Sequence, residues 1–348
     1  MSHLDDYVRK LDVVQGTDLL LSSGRPPLYR ALDGLLPLPG EGALAESDLR
    51  SELVRVLSPD ERQQLADEQR VTFQAELDSG RRVHGAAHES AHGLTVKLRL
   101  LGAQADELLE LELPKVLEPL FEVEAGLIVV TGPSGSGKST FVARLLSEIA
   151  AERSVYIATC EDPVEYPRRS GSSVLVQRAV GPHCPTHARA IETAIATDAQ
   201  VIACSDASEP SAFGLLLEAA CSGVLAVAEL PGHGVVRALE QLYAAVPESA
   251  RAQWSADLAD ALHAVVALEL LPTKLSSRVW AAEVLLSTRN VCSFIRDGKL
   301  SLLAGLLDRE PGMQSMDRCL LDLATRGVVE GREAFVRASD KRLLAAWG

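Results

Sequence analysis

Segment 126–140, GLIVVTGPSGSGKST, is the feature that most limits what this chain can fold into. The strand-forming run GLIVV precedes a glycine-rich turn of the pattern G-x-x-x-x-G-K-S, and a helix-forming segment, TFVARLLSEIA, follows it. In this context the turn curls so that backbone N–H groups point at phosphate oxygens, while the helix presents its positive N-terminal end. The pattern therefore predicts a phosphate-binding loop between a strand and a helix.

The motif also predicts individual roles. Lys138 is expected to reach the β- and γ-phosphates of a nucleotide, and Ser139 is expected to bind Mg²⁺. A glycine-rich turn can arise by chance, but the flanking strand and helix favour nucleotide binding. The predicted nucleotide-binding residues are Gly132, Pro133, Ser134, Gly135, Ser136, Gly137, Lys138, Ser139 and Thr140.

The rest of the chain divides by its hydrophobic pattern. After residue 126, short apolar runs alternate with helix-length segments, which predicts a mostly parallel sheet flanked by helices. Before it, a helix-like start is followed by runs and turns typical of a small α+β domain, and an acidic, proline-bounded segment separates the two parts. The predicted divisions are an N-terminal domain at 1–102, a linker at 103–120, a nucleotide-binding domain at 121–289 and a helical region at 290–348.

Composition excludes several classes of protein. A formal charge of −14 argues against a nucleic-acid-binding protein, which generally displays a basic patch. No uncharged apolar run reaches the roughly 18 residues that a transmembrane segment needs. The N-terminus lacks the pattern of a secretory signal, and the six cysteines are scattered without a C-x-x-C motif, so we expect a cytoplasmic protein with reduced thiols.

Two histidine-containing groups are candidate metal ligands. His183, Cys184 and His187 lie close together in GPHCPTH, but the prolines of this segment predict a loop and no fourth ligand is evident. Three histidines between residues 84 and 92 recur at a spacing of four, yet their glycine-containing segment favours a turn between strands. Neither group is predicted to bind a metal ion.

Four more segments, taken with the loop, resemble the secretion ATPases of type II secretion and type IV pili, specifically the pilus retraction motors of the PilT type. ATCEDPVEY resembles the acidic box of that family, and VLVQRAVG resembles the Gln-Arg segment that follows it. GMQSMDRCLLDLATRG resembles the C-terminal Gly-Met-Gln motif, and GTDLLLSSGRPPLYRALDGLL resembles the opening of the PAS-like domain. The four segments occur in the order that the family has, across nearly the whole chain.

The resemblance implies a RecA-like P-loop ATPase domain, preceded by a PAS-like α+β domain and followed by a short helical region. It implies a homo-oligomer, a hexameric ring, with ATP and Mg²⁺ bound between the N-terminal domain of one subunit and the P-loop domain of the next. It further implies a cytoplasmic location at the periphery of the inner membrane, with an inner-membrane platform protein of the pilus or a related motor ATPase as partner.

Site residues also follow from the resemblance. Glu161 matches the acidic-box glutamate that helps to hold Mg²⁺ or the attacking water, and Asp206 stands where the family's second acidic motif has a glutamate. Arg99 and Arg82 lie where the family supplies arginines in trans to the γ-phosphate, although surface arginines on a strand are nearly as good an interpretation.

Several positions depart from the family pattern. Asp206 is one methylene shorter than glutamate, Pro231 replaces the histidine of the Thr-Leu-His-Thr box, and Cys292 replaces an arginine linked to retraction. Glu192 and Ala196 replace paired arginines. Because the phosphate loop is intact, two functions stay open: a retraction ATPase, and a weakly active or non-hydrolysing paralogue that binds ATP and regulates or joins a true motor. A small-substrate kinase would leave the Gly-Met-Gln motif unexplained.

Overall fold

The computed structural model describes residues 3–14, 16, 18–31, 34–101, 113–168, 171–274 and 277–348. The chain divides into two compact units, residues 1–103 and 104–348. Most of the predicted linker lies outside the described residues. Its described end begins the 3-10 helix Lys115–Glu122, which buries Leu117 and Leu120 in the core of the second unit.

The first unit is an α+β fold built on one antiparallel sheet. The sheet has the strand order β3-β2-β1-β6-β5-β4. Its elements in chain order are α1 His3–Val13, β1 Asp18–Ser22, β2 Leu28–Ala31, β3 Gly34–Pro37, α2 Glu46–Val56, α3 Pro59–Glu68, β4 Arg70–Glu76, β5 Arg82–Ser90 and β6 Gly93–Leu100.

Local chemistry explains where these elements begin and which face they bury. Ser58 caps α3 through a capping box with Glu61. In β5 the buried Val83 and Ala87 alternate with His84 and His88, which lie in the strand rather than in the predicted turn. That prediction was wrong because the period-two apolar alternation prevails over the turn tendency of the glycine.

The second unit is built on a seven-stranded sheet of order β13-β12-β7-β11-β10-β8-β9. Neighbouring strands are parallel except for the antiparallel pair β12–β13, which confirms the predicted mostly parallel sheet. Its strands and α-helices in chain order are β7 Gly126–Gly132, α4 Lys138–Glu152, β8 Tyr156–Glu161, β9 Val174–Ala179, α5 His187–Ala196, β10 Val201–Cys204, α6 Pro210–Cys221, β11 Leu225–Pro231, α7 Val235–Ala245, α8 Arg251–Ala261, β12 Leu262–Pro272, β13 Arg278–Leu286, α9 Arg289–Arg296, α10 Met316–Thr325 and α11 Gly331–Arg337.

Helices cover both faces of this sheet, and the central strands are therefore almost continuously apolar. The carboxyl ends of the parallel strands meet at one edge, where ligands bind in open α/β sheets. The loop that follows β7 and the ends of β8, β10 and β11 all lie at this edge.

The C-terminal helices are tied to the sheet through β13. Gln314 forms an antiparallel bridge with Val284, and its side-chain amide donates to a carbonyl oxygen of the same strand. The carboxylate of Glu283 accepts the N–H of Val235 at 2.7 Å and the N–H of Met316 at 3.1 Å, so it caps α7 and α10 together. None of the helices in the described part of the chain combines the length and the apolar character that crossing a membrane requires.

Candidate functional site

The loop between β7 and α4 packs so closely that two of its glycines, Gly132 and Gly137, have no room for a side chain. A Cβ atom on Gly132 would lie 2.4 Å from Ser136 Oγ and 2.5 Å from the carbonyl oxygen of Leu268. Gly137 has a φ of 86°, which disfavours other residues, and its Cβ would lie 2.3 Å from Trp280 Nε1. The backbone itself therefore forms the inner surface of the loop.

A phosphate chain fits the donors that this loop gathers. Lys138 Nζ lies within the curve and donates to the carbonyl oxygens of Gly132 at 2.9 Å and Pro133 at 3.1 Å. The hydroxyls of Thr131 and Ser136 are buried and have no hydrogen-bond partner among the described residues. An ammonium group, such hydroxyls and the N-terminus of α4 are the donors that polyphosphates require.

Oxygen ligands suited to Mg²⁺ surround Ser139, the second residue of α4. Its hydroxyl donates to Glu229 Oε2 at 3.1 Å. Both side chains line a small cavity of about 70 Å³ at the ends of β8, β10 and β11. The oxygen-bearing side chains that line the cavity are those of Ser139, Thr159, Glu161, Asp162, Glu165, Ser205 and Glu229.

Glu161, which the sequence predicts as a catalytic carboxylate, lies in this cavity at the end of β8. It is 8% exposed, and its Oε1 accepts from Thr159 at 2.5 Å, Gln177 at 2.9 Å and Arg168 at 3.1 Å. Burial lowers the pKa of Arg168, while the charge of Glu161 acts in the opposite direction. The carboxylate is thus held by a buried guanidinium that the sequence reasoning missed.

Glu229 is a second acid that the sequence reasoning missed. It lies in β11, opposite Val130 of β7, and is 3% exposed. Burial, followed by the nearby charge of Glu165, raises the pKa of Glu229 to about 8, although the hydrogen bond from Ser139 acts against this. Burial at this position therefore favours the protonated form of the carboxyl. The available signal was a lone acid inside the otherwise apolar run LAVAELP.

Asp206 is not brought into the cavity. Its side chain is exposed, and Oδ1 accepts the N–H of Ser208 at 3.0 Å in a local turn. The preceding residue, Ser205, lines the cavity instead, and its hydroxyl accepts the N–H of Asp162 at 3.0 Å. The carboxylate of Asp206 is therefore hydrogen-bonded within its own loop.

Arg82 and Arg99 belong to the first unit, where they lie on the neighbouring strands β5 and β6. Arg99 Nε donates to Asp18 Oδ1 at 3.1 Å, and Lys97 pairs with the same oxygen at 3.3 Å. Arg82 is half-buried, and its carbonyl oxygen accepts the N–H of Leu101 at 3.0 Å. The side chain of Arg99 is thus tied to its own sheet, and the backbone of Arg82 is part of the same sheet.

The other departures from the family pattern lie on β11, α5 and α9. Pro231 is the last residue of β11, opposite Gly132. Glu192 forms an exposed ion pair with Arg189 at 2.6 Å on α5. Cys292, in α9, shares a hydrogen bond of 3.2 Å with a neighbouring serine hydroxyl. None of these side chains lines the cavity beside Ser139.

Comparisons with known proteins agree with this architecture. The chain is 34% identical to the uncharacterized protein YggR of Escherichia coli K12, across 81% of this chain and 86% of that protein. It is 29% identical to a twitching motility protein of Neisseria gonorrhoeae, across 79% and 74% respectively. The crystal structure of the pilus retraction motor PilT with bound ADP is 26% identical, covers 99% of both chains and superposes with a TM-score of 0.85.

A family model described as type II/IV secretion system protein matches residues 54–296. This match spans more than half of the chain and includes the phosphate loop, the acidic cavity and every strand of the parallel sheet. The chain therefore belongs to the type II/IV secretion system protein family.

Proposed function

We propose that this chain is a motor ATPase of the type IV pilus retraction type, which binds ATP and hydrolyses it with Mg²⁺ to drive pilus disassembly. The observation that carries the proposal is the loop around Lys138, with its inward ammonium group and two buried hydroxyls that have no hydrogen-bond partner in the described part of the chain. It is supported by the likeness, over almost the entire chain, to a pilus retraction motor whose crystal structure holds ADP.

In this proposal residues 132–140 surround the phosphates. Lys138 would exchange its two carbonyl acceptors for the anionic oxygens of the terminal phosphates. The hydroxyl oxygen of Ser139 would hold Mg²⁺ while its proton remains directed at Glu229. When bound, Mg²⁺ neutralises phosphate charge. Glu229 would hold Ser139 in position through this hydrogen bond.

The remaining residues would position water and charge. Glu161 lies at the strand end from which a carboxylate can orient a water molecule toward the terminal phosphate. Asp206, which does not line the cavity, would act on the phosphate through an intervening water molecule. Arg82 and Arg99 would act in trans, from the first unit of a neighbouring subunit, which requires a homo-oligomeric, hexameric ring. Such a ring would act in the cytoplasm at the inner membrane, against a pilus platform protein.

A second function is favoured by a specific observation. Three donors, including the buried Arg168, already occupy Oε1 of Glu161, and Asp206 is engaged by its own loop. Each candidate water-positioning acid thus has one oxygen engaged within the protein, whereas the phosphate loop is complete. This arrangement supports a paralogue that binds ATP with little or no hydrolysis and regulates or joins a true motor.

The two functions are separated by measuring ATP binding and turnover on the same preparation at known oligomeric mass. Wild type is compared with Lys138→Ala and with Lys115→Ala, an exposed lysine outside the loop that serves as the control. The motor predicts that wild type and the control bind Mg-ATP and release phosphate, while Lys138→Ala does neither. Binding without release supports the paralogue. Absence of binding by wild type, by calorimetry, refutes both.

A further inference from the structure

Three side chains that favour soft metal ions meet inside the second unit, away from the phosphate loop. Cys160 comes from β8, Cys204 from β10 and His187 from the first position of α5. The two sulfur atoms and one imidazole nitrogen all lie within 4.8 Å of one another. These three residues are called the thiol–imidazole cluster below.

Topology explains why residues so distant in sequence converge. β8 and β10 are parallel neighbours, and Cys160 and Cys204 are directly paired in their register, so both side chains lie on the same face of the sheet. Helix α5 packs on that face and begins beside the two cysteines, where Cys160 Sγ donates to the carbonyl oxygen of His187 at 3.6 Å. The sheet supplies two ligands and the helix start supplies the third.

The cluster is shielded from water, and one of its polar atoms lacks a hydrogen-bond partner among the described residues. Cys160 is 2% exposed and Cys204 is 1% exposed. Nε2 of His187 is buried and has no hydrogen-bond partner among the described residues. An unpaired buried imidazole nitrogen beside two sulfurs is unfavourable unless a ligand completes it.

Two nearby residues of similar chemistry, Cys184 and His183, contact the end of β9. Cys184 Sγ donates to the carbonyl oxygen of Ala179 at 3.5 Å, and His183 Nδ1 accepts the N–H of Ala179 at 2.9 Å. These contacts close the loop that precedes α5 onto β9. His183, Cys184 and His187, which lie close together in the sequence, therefore do not form one site. The fold instead places His187 beside Cys160 of β8 and Cys204 of β10.

The donor set indicates which ion would bind. Two thiolates and an imidazole select Zn²⁺ or Cu(I) over Mg²⁺, and three protein ligands leave a fourth tetrahedral position for a small ligand. Tetrahedral coordination with Zn–S bonds of about 2.3 Å puts the sulfurs roughly 3.8 Å apart, a small contraction from the limit of 4.8 Å. Cys160 also lines a cavity of about 260 Å³, which has room for a water molecule as the fourth ligand.

We propose that Cys160, His187 and Cys204 form a Zn²⁺ site. Cys160 directly precedes Glu161, and Cys204 directly precedes Ser205, which lines the acidic cavity. The metal ion would therefore fix the two strand ends that present side chains to the phosphate site. This role is structural and does not depend on whether ATP is hydrolysed.

The test is metal binding by the full chain, purified with reduced thiols and freed of metal by a chelator. Zn²⁺ is titrated against a chromophoric competitor, and Co²⁺ is used separately as a spectroscopic probe. Wild type is expected to bind one Zn²⁺ per chain, and its Co²⁺ complex to show thiolate-to-metal charge transfer. Cys319→Ala, which removes a buried thiol of the C-terminal helices, is the matched control and is expected to behave as wild type.

Cys204→Val and His187→Gln are expected to lose more than the roughly 10–100-fold in affinity that removal of an outer-shell partner costs. Two variants are used because Cys204 is buried whereas His187 is only half-buried, and circular dichroism checks that each is folded. Equal Zn²⁺ affinity in wild type and a folded His187→Gln protein would overturn the proposal. So would a Co²⁺ spectrum without thiolate charge transfer, which would place the ion on the carboxylates instead.

Discussion

The buried carboxyl of Glu229 predicts a measurable dependence of stability on pH. Its pKa is about 8 in the folded protein, against an ordinary value of 4.5. A raised folded-state pKa means that the folded state binds the proton more tightly, so its stabilising effect is fully present below pH 4.5 and is lost as pH rises toward 8. Glu229→Gln removes the titration, while its amide oxygen can still accept the hydrogen bond of Ser139.

The magnitude follows from the burial of the group, which is 3% exposed. At 1.36 kcal/mol per pH unit, wild type should lose about 3 kcal/mol more unfolding free energy than Glu229→Gln between pH 5.5 and pH 8. Comparing slopes rather than absolute values cancels the pH-independent cost of burying the amide.

Urea unfolding followed by tryptophan fluorescence is a suitable assay because all three tryptophans lie in the second unit. It is done without nucleotide or Mg²⁺, which would bind the carboxylate. Glu218→Gln, an exposed acid on α6, is the control and should keep the wild-type slope. A difference of slope below about 1 kcal/mol between wild type and Glu229→Gln would show that Glu229 is not desolvated in the way described.

Three further predictions concern the same cavity. Arg168→Ala should destabilise the second unit by about 3–5 kcal/mol in urea unfolding, because it leaves the buried Glu161 without its cation; a loss below about 1 kcal/mol would contradict this. Gly137→Ala should lower Mg-ATP affinity at least about tenfold by calorimetry, since its Cβ would collide with Trp280 beneath the loop; unchanged affinity would contradict the packing. If the protein turns ATP over, Asp206→Asn should slow phosphate release less than about tenfold and Glu161→Gln roughly 10²–10⁴-fold; the reverse order would reassign the base.

The fold was largely predictable because its signals are local. A pattern in consecutive residues marks the strand that ends at Gly132, the closely packed glycines Gly132 and Gly137, and the helix that begins at Lys138. The Ser58 cap of α3 is equally local. Apolar runs without alternation indicated strands buried on both faces, which only a parallel sheet covered by helices provides.

The composition of the site was less predictable because it depends on register between strands. Glu229 meets Ser139 because β11 lies beside β7, and no spacing along the chain encodes that neighbour. Arg168 reaches Glu161 from a segment after the end of β8. Conversely, Asp206 was expected in the cavity from its place in a motif, but the turn that its side chain makes with Ser208 directs it outward. Its catalytic role remains a prediction.

Glu283 joins the starts of two helices that are far apart in the sequence. Each of its two carboxylate oxygens accepts the first N–H of a different helix. One helix is α7, which follows the strand of Glu229, and the other is α10, which follows the Gly-Met-Gln motif. If the start of either helix moves relative to the sheet, Glu283 can keep its hydrogen bond to that helix only by losing its hydrogen bond to the other. One carboxylate thus couples the start of the helix that follows the Gly-Met-Gln motif to the start of α7, so the two helix starts keep a fixed spacing as long as both hydrogen bonds hold.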